Sequence, residues 1–97
     1  MSTTEMWKEL HSHALNDYVD ARSTMLWLNV WSAKIPRYTR GCSCNEHWRK
    51  LIKTLPPDYS SKHAFFEWTV KAHNEVNIKL NKPLVTINAA REMYKKK

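Results

Sequence analysis

The segment WTVKAHNEVNIKLNKP, residues 68–83, sets imidazole, amide and ammonium groups among apolar ones. Apolar Phe65, Trp68, Ala72, Val76 and Leu80 recur at the helical period. His73 and Asn77 lie four apart, one turn above each other on a neighbouring face. A helix that needed only solubility would carry lysine and glutamate there. His73, Asn74 and Asn77 instead offer directional donors and acceptors, and Lys79 and Lys82 offer charge for an anion. Taken alone, the segment reads more plainly as a helix–helix interface with satisfied histidine and asparagine. Upstream, WKELHSHA (7–14) puts Trp7, His11 and Ala14 on one helix face, and GCSC (41–44) supplies the chain's two thiols, Cys42 and Cys44.

These groups need helices to position them. Ser2 and Glu5 fit a capping box that opens a first helix, with Trp7, Leu10, His11, Ala14 and Tyr18 in one stripe. STMLWLNVWSAKI (23–35) is apolar nearly all round and reads as the most buried helix, with Met25, Trp27 and Trp31 as core. Pro36 ends it, and PRYTRG (36–41) is a basic loop. A third helix starts near Cys44 and carries Cys44, Trp48, Leu51, Ile52 and Leu55 at helical spacing. PPDYSS (56–61) breaks it, and Ser60 or Ser61 caps a fourth helix over roughly 62–81. Lys82-Pro83 stops that helix. Thr86 or Asn88 caps a last short helix through Tyr94. The expected fold is all-α, a four-helix bundle with a short fifth helix.

Composition bounds the function classes. The 97 residues fit one domain, 1–97, and a hydrophobic content of 42% with five tryptophans excludes a disordered chain. One glycine and four prolines leave few turns, which disfavours a sandwich or barrel. No apolar run is long enough to span a membrane and no signal-peptide pattern appears, so an intracellular (cytoplasmic) or virion protein is expected. The net charge of +7 suits an anionic partner: nucleic acid, a phosphate-bearing cofactor or an acidic protein surface. Two cysteines are too few for a secreted disulfide framework.

Three segments in order, W-x-x-L-H-x-x-A at 7–14, the cysteine-bearing helix running to Pro56-Pro57-Asp58, and H-N-x-V-N-x-K-L-x-K-P at 73–83, resemble the Erv/ALR family of FAD-linked sulfhydryl oxidases. The likeness is strongest over 65–83, good over 7–18 and 44–58, and weak over 19–40. It implies a helical bundle holding FAD beside a redox-active disulfide, in a homodimer. By that resemblance Trp7, His11 and Tyr18 line the flavin from the first helix. Trp68, His73, Asn74, Val76 and Asn77 contact adenine, ribose and flavin edges from the fourth. Lys79 and Lys82 face the diphosphate, and Tyr94 packs on the cofactor. Residue chemistry agrees, since aromatics bury flat rings and lysine offsets phosphate charge.

The cysteines depart from the family pattern. Aligned back from Pro56-Pro57-Asp58, Cys44 falls on the flavin-proximal cysteine, but its C-x-x-C partner position is Gly41, and Cys42 makes the pair C-x-C. The family's structural disulfide aligns with Val70 and Ile87, an apolar pair, which suits a reducing compartment. On the redox reading, Cys44 is the charge-transfer thiolate and Cys42 exchanges with thiols of a client protein. Helix N-terminal amides with Arg37, Arg40 and Lys50 lower a thiol pKa there. The opposing reading leaves both cysteines reduced, with Cys44 filling core space.

Two other classes stay open. Cys42, Cys44 and His47 with His11, His13 or His63 make an irregular zinc set, and no metal site is expected from it. A redox-inactive module is the second, binding protein or nucleic acid or serving as a structural virion component. Arg37, Arg40, Arg49, Lys50, Lys53 and Lys95–Lys97 would then meet phosphates and Tyr38 would stack.

Overall fold

The computed structural model describes residues 3–35 and 44–95. Five helices follow in order: α1 (Thr3–Asn16), α2 (Ala21–Ala33), α3 (Cys44–Thr54), α4 (Lys62–Lys79) and α5 (Ile87–Tyr94), with no strand among the described residues. The all-α expectation holds. Ser2, the 36–41 loop, Cys42 and the last two lysines lie outside the described residues.

Local chemistry sets the helix ends. The side chain of Asp20 accepts from the Ser23 amide, that of Ser61 from Ala64 and that of Thr86 from Ala89, capping α2, α4 and α5. Each offsets one of the amides that a helix start leaves unpaired. Helix α4 closes without a glycine. Asn81 takes a left-handed φ of 56°, which asparagine tolerates better than most residues. Its amide donates to the Ile78 carbonyl at 3.1 Å and that of Lys82 to Asn77 at 2.8 Å, the paired bonds of a Schellman stop. Asn81 therefore turns the chain, and Lys82-Pro83 follows the stop.

The core lies where α1 and α4 meet. Leu10, Ala14, Phe65, Phe66 and Ala72 are fully buried, and Trp31, Trp48, Leu51 and Trp68 close around them. Long-range polar bonds tie the layers. Trp48 Nε1 donates to Ser32 Oγ at 3.0 Å, joining α3 to α2, and Trp68 Nε1 donates to the Leu55 carbonyl at 2.9 Å, joining α4 to the end of α3. Tyr18 Oη donates to the Tyr59 carbonyl at 2.7 Å, and Asn16 Nδ2 to the Tyr94 carbonyl at 2.9 Å.

Helix α2 departs from expectation. Only Thr24, Leu28 and Trp31 are buried, while Met25 is 45%, Leu26 58% and Val30 63% exposed. Residues 24, 28 and 31 form one stripe, and among the described residues nothing covers the opposite faces. An apolar periphery marks a helix as fully buried only where neighbours surround it. Met25 is thus not core, and Leu80, at the end of the α4 stripe, is 56% exposed.

Phe66 has no exposed surface, and Arg91 sits over its ring at 5.9 Å. Phe66→Ala should lower stability by about 3–5 kcal/mol, read as a fall in the urea midpoint with unchanged slope.

Candidate functional site

Trp7 and His11 stand one turn apart on α1 and face His73 on α4. The Trp7 and His73 rings stack at 4.2 Å with an interplanar angle of 3°. His11 lies 5.2 Å from His73, and the Tyr94 ring of α5 lies 4.8 Å from His11 on a 31° tilt. On its other side Trp7 meets Trp48 edge-on at 5.8 Å. Four flat groups from three helices thus converge, as the sequence implied for Trp7, His11, His73 and Tyr94. Beside them opens a cleft of about 100 Å³, lined by His11, His73, Asn74, Val85, Met93 and Tyr94 among others.

Hydrogen bonds hold the histidines. His11 Nδ1 is 2.9 Å from Thr69 Oγ1, and His11 Nε2 is 3.0 Å from His73 Nδ1. Burial pushes the His11 pKa down from 6.5 to about 3, helped by the neighbouring His73. His73 is lowered by burial first and then by the charge of Lys82, and burial also raises the Tyr94 hydroxyl above its ordinary value. Both imidazoles are therefore neutral at pH 7.

The remaining predicted residues divide. Asn74 borders the cleft, but its amide is engaged by the backbone: Nδ2 donates to the Val85 carbonyl at 2.8 Å and Oδ1 accepts from the Val85 amide at 2.9 Å. It holds the segment after α4 against the site. Lys82 lies close enough to bias His73, whereas Lys79 is exposed at the end of α4. Asn77 is buried and Val76 half-buried. Trp68 packs in the core, 5.8 Å from both Trp48 and Phe65, beyond the ring stack. Tyr18 is bonded to the α3–α4 link, away from the stack. Cys44 opens α3, and Cys42 lies outside the described residues.

Sequence reading missed Thr69 and Val85. Thr69 stands one turn before His73 on α4, and that spacing was the available signal. Among the described residues no set of three His, Cys, Asp or Glu is arranged for a metal ion. His13 stacks on Trp27 at 3.8 Å, and His63 meets Glu67 at 3.2 Å and Arg91 at 3.0 Å, both apart from His11. Of the basic residues proposed for nucleic acid, Arg49, Lys50 and Lys53 are exposed on α3, and Lys50 pairs with Glu46 at 3.5 Å. Arg37, Tyr38 and Arg40 lie outside the described residues. No described helix is long and apolar enough to cross a membrane.

The buried histidine sets a pH dependence. With its folded pKa below 6.5, His11 leaves the unfolded chain binding more protons over the window from 6.5 down to about 3. Its contribution is whole above that window and is lost as pH falls through it, by about 1.4 kcal/mol per pH unit. His13 and His73, also lowered, act in the same direction. Urea midpoints should fall between about pH 7 and about pH 4.5, and His11→Phe should flatten the slope.

Comparison with known proteins matches this geometry. The chain is 37% identical over 54 residues to the FAD-linked sulfhydryl oxidase erv2 of Schizosaccharomyces pombe, covering 53% of this chain and 28% of that protein's length. The fold superposes on the yeast Erv1 core with a TM-score of 0.78 at 26% identity, covering 98% of this chain and 85% of that one. The FAD binding domain of Erv1 from Saccharomyces cerevisiae superposes with a TM-score of 0.77 at 27% identity, covering 98% and 95%. The model of the Erv1 / Alr family matches residues 4–96, and the chain belongs to that family.

Proposed function

We propose that this chain is a FAD-binding thiol oxidase that makes disulfides in client proteins. The observation that carries the reading is the convergence of Trp7, His11, His73 and Tyr94 from α1, α4 and α5 on one site. Those side chains suit a flat ring system, and Lys82 brings a cation to the same edge. The fit is one of residue type. A cleft of about 100 Å³ takes one ring edge, so the rest of a dinucleotide would lie along the surface toward Lys82 and Lys79.

In this reading Trp7, His73 and Tyr94 bind and orient rings, while Asn74 keeps the Val85 segment from retreating. Cys44 stands at the first position of α3. A client thiolate attacks Cys42 in the Cys42–Cys44 disulfide, forming a mixed disulfide and releasing Cys44 as thiolate. A second client thiolate displaces Cys42, leaving the client oxidised by two electrons and the C-x-C pair reduced. Flavin held by Trp7, His73 and Tyr94 would supply the two-electron acceptor for the reduced pair, with oxygen as the terminal oxidant. An intracellular or virion setting belongs to the same reading, as two cysteines and the Val70/Ile87 positions need no structural disulfide.

The exposed apolar face of α2 supports a homodimer. Among the described residues Met25, Leu26 and Val30 leave an apolar face uncovered, and a second copy of the same face would cover them.

The purified protein should be yellow, or take up added FAD, and consume oxygen with dithiothreitol. Cys44→Ser and Cys42→Ser should each keep flavin and cut turnover by about a hundredfold or more. Oxidation by both variants at the native rate would end the C-x-C assignment, and a colourless protein that refuses FAD would end the pocket. Leu26→Lys with Val30→Asp should shift the sedimentation coefficient from dimer to monomer.

A further inference from the structure

The hydrogen bonds beneath the ring stack have a direction. Thr69 is fully buried on α4, and its hydroxyl donates to the Phe66 carbonyl at 2.6 Å. A hydroxyl has one proton, so Thr69 Oγ1 is an acceptor toward every other partner. His11 Nδ1, 2.9 Å away, must therefore carry a proton. His11 is 1% exposed and neutral at pH 7, so its second nitrogen, Nε2, holds a lone pair. That lone pair faces His73 Nδ1 at 3.0 Å, which makes His73 Nδ1 the donor. Since His73 is also held neutral, its Nε2 is left as the ring's acceptor.

We infer that Thr69 is a positioning residue of this site: its hydroxyl orients the His11–His73 pair in one sense, so that His73 presents an acceptor nitrogen to the ligand. The chain runs from His73 Nδ1–H to His11 Nε2, from His11 Nδ1–H to Thr69 Oγ1, and from the Thr69 hydroxyl to the Phe66 carbonyl. Reversing any one bond leaves two donors or two acceptors facing each other in a buried site, which costs more than the bond is worth. The ligand edge that fits His73 Nε2 carries an N–H or O–H, as the amine of adenine and the hydroxyls of ribose do. That consequence rests on the nucleotide reading above, whereas the polarity of the chain rests on the hydrogen bonds and on the burial that keeps both rings neutral.

The test reads ring nitrogens by long-range proton–nitrogen NMR on the labelled, FAD-free protein near pH 7, assigned with His11→Phe and His73→Phe. Both histidines should appear as the Nδ1–H tautomer. Thr69→Val, which keeps the shape and removes the hydroxyl, should turn His11 and His73 into tautomer mixtures, and Thr69→Ser should restore the native pattern. A native His11 protonated at Nε2, or a Thr69→Val spectrum identical to the native one, overturns the inference without requiring any variant to bind ligand. FAD titration forms the second arm: about a tenfold loss of affinity in Thr69→Val, recovered in Thr69→Ser, is expected. Equal FAD affinity in all three proteins overturns the ligand-facing role. If the native protein binds no FAD, the function proposed above falls and the tautomer spectra still decide the polarity.

Discussion

Everything at the α1–α4 contact depends on burying an imidazole without its charge. A histidine at 1% exposure is tolerable only when both ring nitrogens have partners and no proton needs solvating. Thr69 supplies the partner on one side and His73 on the other. Because His73 is spent on that bond, its ring is held flat against Trp7 at 4.2 Å instead of swinging toward solvent. The same two contacts therefore seal the core and shape the wall of the cleft beside it. Core and cleft share their residues here, which is why the buried pair is both a pH liability and part of the cleft wall.

The end of α4 does the second part of the positioning. The Schellman stop at Asn81 reverses the chain, and the Asn74 amide then captures the Val85 backbone from both sides. Only after that capture can α5 lie back across α1, where the Tyr94 carbonyl receives Asn16 and the Tyr94 ring reaches His11. Asn74 lines the cleft, and its amide is also the clasp that holds the Val85 segment beside it.

Helix α2 is packed on one stripe only among the described residues. Its stripe of Thr24, Leu28 and Trp31 fills the space against α1 and α3, and the bond from Trp48 to Ser32 fixes its angle. A domain of this length buries a limited share of its surface, and two helix faces cannot both be covered by one neighbour. Among the described residues the apolar side chains of Met25, Leu26 and Val30 are left outward.

Helix positions and the caps of α4 and α5 were legible in the sequence because each depends on neighbours in the chain. Ser61 and Thr86 announce their helices by local hydrogen bonding, and the period of Phe65, Trp68 and Ala72 announces the buried face of α4. Trp7, His11, His73 and Tyr94 were named together by the family resemblance, and their rings do converge. What spacing cannot say is which face meets which. Trp68 and Tyr18 share stripes with site residues, yet Trp68 turned into the core and Tyr18 toward Tyr59. Thr69 looked like an ordinary helical threonine until His11, 58 positions away in sequence, came within 2.9 Å. The outward face of α2 was unreadable for the same reason, since apolar character is a property of a residue and burial is a property of its neighbours. Local bonds were thus determined by the sequence alone, while the partners of Asn74, Thr69 and α2 were decided only when the helices packed.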